Sequence, residues 1–166
     1  RVVQTFVNNI LYYDYANAPF QFLKAEEPFE RKLPNGITIK GVIDRMDIKS
    51  GLVRVIDYKT GSTDLEYKSM ADVFGFSFAN DNDDFALRKK SKSQILQTML
   101  YCWAVSEQYP AIAPYVYSVR RISDISTTTC VHAIGSNEPI VFDEQMKKVF
   151  VDQLVLLVDE IRNLEM

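Results

Sequence analysis

Asp44, Asp57 and Lys59 are the residues of this chain whose types and spacing suit chemistry at a phosphate. Residues 52–58 are rich in β-branched side chains and read as a strand. Asp57 and Lys59 are two apart on it, so they leave the same face. Ser50-Gly51 reads as a turn. A two-residue turn there sets Lys49 opposite Leu52, and counting back sets Asp44 opposite Asp57. Directly opposed residues have Cβ atoms ~4.5–5.5 Å apart. Two carboxylates that close repel, and a divalent cation between them removes the penalty. An ammonium group beside them would hold a phosphate, orient an attacking water or stabilise charge that develops in displacement. The trio suits metal-assisted hydrolysis of a phosphodiester. Each part alone has a plainer reading, a solvated turn aspartate or a local Asp-x-Lys ion pair. The register is what ties the three to one spot.

The elements that must position them follow from periodicity. Residues 1–17 carry Val3, Phe6, Val7, Ile10 and Leu11 at helical spacing, and Pro19 ends that helix. Residues 20–33 read as a strand that Pro28 weakens. Pro34-Asn35-Gly36 is a turn, and alternation from Ile37 to Ile43 marks the next strand. Residues 61–93 read as a long loop, with an acidic cluster at 81–84 and a basic one at Arg88, Lys89, Lys90 and Lys92. Ser93 is placed to cap a helix over 94–108 with Leu96, Leu100, Trp103 and Ala104 on its apolar face. A strand is expected over 115–122 and a weaker one over 128–133. Asp143 begins a last helix with the stripe Met146, Phe150, Leu154, Leu157 and Ile161. The order gives a mixed α/β layer fold.

Composition narrows the class. The 166 residues are enough for one domain with a real core, and 47% hydrophobic with 25% charged is an ordinary globular balance. No stretch approaches the ~20 apolar residues needed to span a bilayer, so no membrane partner is expected. Cys102 and Cys130 form no metal-binding spacing and read as free buried thiols in a cytoplasmic protein. His132 reads as structural. The net charge of -3 argues against a generic basic nucleic-acid binder. Contact with a phosphate backbone must rest on a local patch or on bound metal. The chain opens at Arg1 inside a helix, which reads as a fragment of something longer.

The stretches from Gly41 to Asp47 (GVIDRMD) and from Val55 to Gly61 (VIDYKTG) resemble the GxIDRxD and (V/I)DYKTG motifs of RecB/AddB-type PD-(D/E)XK nucleases. Gln97 and Tyr101 resemble the QxxxY motif of that family. The resemblance covers roughly residues 27 to 105. It implies a restriction-endonuclease-like core, with a central mixed β-sheet flanked by helices. It implies Asp44 and Asp57 as metal ligands with the peptide oxygen of Tyr58, Lys59 as the catalytic lysine, and Mg²⁺ or Mn²⁺ as cofactor. Gln97 and Tyr101, four apart on one helical side, would face the site and the DNA. The family usually has an upstream acid or histidine as a further ligand. No histidine precedes the motifs here, and Glu27 is the choice among Glu26, Glu27 and Glu30. The four cysteines of an iron–sulfur cluster are lacking, so none is expected.

Arg45 and Asp47 fall on the face opposite Asp44 and read as salt-bridge residues. Lys89, Lys90 and Lys92 are candidates for phosphate contact. Of Arg120 and Arg121, at most one could join them. The resulting expectation is a DNA nuclease domain of a helicase–nuclease in recombination or repair, with a helicase domain or subunit as partner. The alternative is a catalytically incomplete nuclease-fold module that binds DNA or a protein. An unrelated small-molecule-binding α/β domain is the third reading.

Overall fold

Ser50 and Gly51 both adopt positive φ, 51° and 80°. That is the backbone of a type I′ turn, whose twist matches the strands it joins. The computed structural model describes residues 2–61, 63–75, 84–118, 122 and 126–164, without the side chains of 2, 3, 84–92 and 164. In chain order the elements are α1 (Val2–Ala16), β1 (Gln21–Lys32), β2 (Thr38–Lys49), β3 (Leu52–Lys59), β4 (Glu66–Tyr67), α2 (Met70–Val73), α3 (Asp84–Val105), β5 (Ile112–Ser118), β6 (His132–Ala133) and α4 (Glu144–Leu164).

The turn fixes the register. Lys49 pairs with Leu52, and the antiparallel ladder runs back to Arg45 opposite Ile56. β1 pairs antiparallel with β2 on its other side, and β5 pairs parallel with β3. The sheet order is therefore β1-β2-β3-β5. A parallel neighbour needs a long crossover, and α3 lies within it. β4 and β6 make a small parallel pair apart from the main sheet. Pro28 is tolerated because β1 is an edge strand.

Both faces of the sheet are covered. On one, Ile43, Met46, Val53 and Val55 join Ile95, Met99 and Cys102 of α3 and Phe150 and Leu154 of α4 in the main core. On the other, Tyr13 of α1 packs with Ile56, Tyr117 and Ile122. β3 is central, so five successive residues, Val53 to Asp57, are buried. This is the mixed α/β architecture expected, a four-stranded mixed sheet flanked by helices.

Four local expectations are corrected. α3 starts at Asp84, so the basic residues 88–92 lie on helical backbone and Ser93 is inside the helix rather than its cap. The polar run 84–93 carries no apolar stripe to announce a helix, although Ala, Leu, Arg and Lys favour one. The core side of α3 is Ile95, Met99, Cys102 and the expected Trp103, while Leu96 and Leu100 lie at its margin. In α1 the inward residues are Phe6, Ile10 and Tyr13, and Val7 and Leu11 face outward. The expected strand over 115–122 starts at Ile112 and ends at Ser118. Two expectations about α4 divide: Asp143 caps it, accepting from Met146 N–H at 2.8 Å, but Ile161 is exposed because the core ends before the last turns.

Candidate active site

The β2–β3 ladder stops at Arg45 and Ile56, and the site lies just past that point. Asp44 and Asp57 stand across from each other one residue further on. Alternation from Arg45 and Ile56 makes Tyr58 and Ile43 the next pair to exchange two backbone bonds. They do not. The Tyr58 N–H donates instead to Asp44 Oδ2 at 2.8 Å. A carboxylate thus takes the place of a strand carbonyl. The N–H and C=O of one strand residue leave the same edge, so the Tyr58 carbonyl is directed to the β2 side as well.

Asp57 is 2% exposed. Lys59 Nζ donates to its Oδ1 at 3.0 Å and lies 2.8 Å from its Oδ2. The second contact lacks hydrogen-bond geometry, and Oδ2 is a buried acceptor without a bond. Burial raises the Asp57 pKa, Lys59 opposes that rise, and the charge of Asp44 adds to it. Lys59 Nζ also donates to Gln97 Oε1 at 2.8 Å, and Gln97 Nε2 donates to Tyr101 Oη at 2.7 Å. The Lys59 ammonium can only donate, so it fixes the Oε1 end of the amide toward itself. Burial raises the Tyr101 pKa, the Gln97 bond lowers it, and Asp57 and Asp44 add to the rise. The QxxxY spacing thus supplies a hydrogen-bonded relay from helix to strand.

Tyr101 is held from behind. Its ring meets Phe29 of β1 edge-on, with centroids 5.8 Å apart. Phe29 pairs with Gly41, and a Cβ on Gly41 would lie 2.7 Å from the Phe29 ring. Gly41 is therefore the residue that lets this aromatic ring cross the strand. Sequence reasoning quoted Gly41 as part of a motif but gave it no role. The signal for it was a glycine inside an alternating strand.

The other expected residues divide. Arg45 and Asp47 do face the opposite side and do form salt bridges. Arg45 binds Asp47 and also Asp14 of α1, at 2.7 and 2.5 Å, and Arg54 binds Asp47 at 2.5 Å. Asp14 was missed, because only tertiary packing brings α1 there. Glu27 pairs with Lys24, and among the described residues no third Asp, Glu, His or Cys joins the two aspartates in a metal-binding cluster. His132 lies on β6, its Nδ1 3.2 Å from the Ala133 carbonyl. Cys102 and Cys130 are free and buried, as expected. The side chains of Arg88, Lys89, Lys90 and Lys92, and the residues Arg120 and Arg121, lie outside the described residues. No described helix is long and apolar enough to cross a membrane.

A model of the PD-(D/E)XK nuclease superfamily matches residues 1–164. The chain belongs to that superfamily. No curated protein matches it. The four-stranded mixed sheet with its flanking helices is accordingly a restriction-endonuclease-like core. PD-(D/E)XK nucleases typically use divalent metals, and the donor set here fits one. Hard cations take oxygen ligands. The opened ladder offers the Asp44 carboxylate, the Tyr58 carbonyl edge and a buried Asp57 oxygen that no donor satisfies.

Proposed function

We propose that this chain is a Mg²⁺- or Mn²⁺-dependent DNA nuclease domain of the RecB/AddB-like kind, hydrolysing phosphodiester bonds within a helicase–nuclease of recombination or repair. The observation that carries the reading is the buried Asp57 Oδ2, which makes no hydrogen bond and lies 2.8 Å from the Lys59 ammonium, with the Asp44 charge near enough to raise the Asp57 pKa. Asp44, Asp57 and the Tyr58 carbonyl would hold the cation. When bound, it would lower the pKa of a water and neutralise phosphate oxygens. Lys59 has a proton left after its bonds to Asp57 and Gln97, and that proton would go to the phosphate or to the attacking water. Gln97 aims the ammonium, and Tyr101 fixes the Gln97 amide. The burial of Asp57 keeps water from competing for its charge. Attack at phosphorus is direct, so no covalent enzyme intermediate is required. A helicase domain or subunit is the partner this reading expects.

A second reading is a nuclease-fold module that binds DNA or a protein without cutting. It is favoured by the absence, among the described residues, of a third acidic, histidine or cysteine ligand beside Asp44 and Asp57. One assay separates the two. Labelled single- and double-stranded DNA is incubated with the protein and Mg²⁺ or Mn²⁺, with EDTA as control. Cleavage that disappears in EDTA and in Lys59→Ala is the expected result. DNA retained without cleavage in either metal would overturn the nuclease reading in favour of the second.

A further inference from the structure

The α1 face of the sheet holds a second cluster of charge, near the β2–β3 turn and on the opposite side from Asp57. Arg45, Arg54 and Lys49 are its cations, Asp14 and Asp47 are the carboxylates bonded to them, and Glu138 is a further, exposed carboxylate beside the lining residues Asn137 and Pro139. Arg45 and Arg54 consume both bonded carboxylates. Lys49 is left with Asn17 Oδ1, a neutral acceptor at the long distance of 3.4 Å. Its pKa is lowered, first by burial and then by the neighbouring Arg54 charge, which outweighs Asp47. The C-terminal end of α1 offers at most about half an elementary charge toward the deficit. Among the described residues, the three cations outnumber the two carboxylates bonded to them.

The cluster borders a cavity of about 260 Å³. Lys49, Arg54, Asn17, Thr128 and Asn137 are among the residues that line it. Arg54 gives Nε and Nη2 to Asp47, and its Nη1 has no bond among the described residues. Thr128 Oγ1 donates to Asn137 Oδ1 at 3.3 Å. An ammonium, a guanidinium and an amide thus line the cavity, which is smaller than the ~300–1,000 Å³ of drug-sized sites. We infer that it is a binding site for a phosphate monoester, independent of the proposed metal centre. The charge-assisted donors match a tetrahedral dianion. The source of that group is either a free small phosphate or the phosphorylated end of a nucleic acid.

The test uses the full protein in EDTA, with inorganic phosphate followed by ³¹P line broadening at fixed ionic strength. Saturable binding is expected, with sulfate competing and chloride not. Lys49→Gln should weaken it about tenfold or more, the share of one charged hydrogen bond, while Lys49→Arg retains it. Asn17→Asp is a second variant, because it sets a carboxylate beside Lys49 and should exclude the anion. Asp57→Asn should leave phosphate binding unchanged, which keeps this test separate from the nuclease reading. A preference for 5′-phosphorylated over 5′-hydroxyl oligonucleotide assigns the site to a nucleic-acid end, and equal binding assigns it to a free phosphate. Absence of saturable phosphate binding, or full affinity in both Lys49→Gln and Asn17→Asp, would overturn the inference.

Discussion

β2 and β3 send a buried carboxylate to each face of the sheet, and the two faces treat them differently. Asp47 is fully buried on the α1 side. Its Oδ1 accepts from Arg54 Nε at 2.5 Å, and its Oδ2 from Arg54 Nη2 at 2.9 Å and Arg45 Nη2 at 2.7 Å. Arg45 continues to Asp14, so the network ties α1 to the sheet. Asp57, on the α3 side, is nearly as inaccessible at 2% but has a single lysine, and one of its oxygens is unbonded. Equal burial thus serves two purposes. A carboxylate with both oxygens bonded ties elements together. One with an unbonded oxygen is what the proposed cation site requires.

The sharpest way to break this comparison is to neutralise each carboxylate in turn. Asp57→Asn should cut DNA cleavage by at least about 10²–10³-fold, the scale of losing a preorganised electrostatic group, while the fold persists. Mg²⁺ or Mn²⁺ should raise the melting temperature of the wild type, and the rise should vanish in the same variant, since only a ligand bound to the native state stabilises it. Asp47→Ala should do the reverse. It leaves two buried guanidinium groups with one carboxylate between them, and a loss of about 3–5 kcal/mol is expected in denaturant unfolding. A variant at Asp47 that unfolds no more easily than wild type would show that the network is incidental.

The pH dependence sharpens the contrast. Burial raises the folded-state pKa of Asp57, so the native state binds this proton more tightly than the unfolded chain does. Its contribution to stability therefore falls as pH rises from about 3.8, the ordinary value, through the folded pKa, and is constant above it. Without divalent cation, Asp57→Asn should remove that decline, so its stability gain over wild type should grow across this window. A saturating cation should restore wild-type stability above it, because it favours the deprotonated carboxylate.

The smallest effects belong to the relay. Tyr101→Phe deletes the acceptor for Gln97 Nε2 and frees the amide to turn, a loss of about 0.5–1.5 kcal/mol in transition-state stabilisation, read as up to about tenfold in kcat with KM for DNA little changed. Gly41→Ala should reach the same relay from behind by pushing Phe29 toward Tyr101, and a matching fall in kcat would link that glycine to the site.

Much of the site was legible in the sequence because it is built on one hairpin. Ser50-Gly51 sets a type I′ turn, the turn sets register as far as Arg45 opposite Ile56, and period two puts Asp57 and Lys59 on one face of β3, where they bond. The opposite facing of Arg45 and Asp47 follows from the same alternation. The first turns of α3 were not legible, since residues 84–93 have no apolar rhythm and a polar helix looks like a loop. The inward faces of α1 and α3 were misjudged for a related reason. Val7, Leu11, Leu96 and Leu100 satisfy helical spacing as well as Phe6, Ile10, Ile95 and Met99 do, and only the neighbouring sheet chooses between them.

The sequence by itself determined whatever is local: the turn, the alternation along β3 that sets Asp57 and Lys59 on one face, and the Gln97–Tyr101 spacing on one helical side. Tertiary structure alone decided the rest. It stopped the ladder at Arg45 and Ile56 so that Asp44 takes the Tyr58 N–H, brought Asp14 to Arg45, and set Phe29 over Gly41 against Tyr101. The physical reason is sequence separation. Contacts within a hairpin follow from backbone period, whereas contacts between elements depend on which of several permissible faces buries best against surfaces that exist only once the chain has folded.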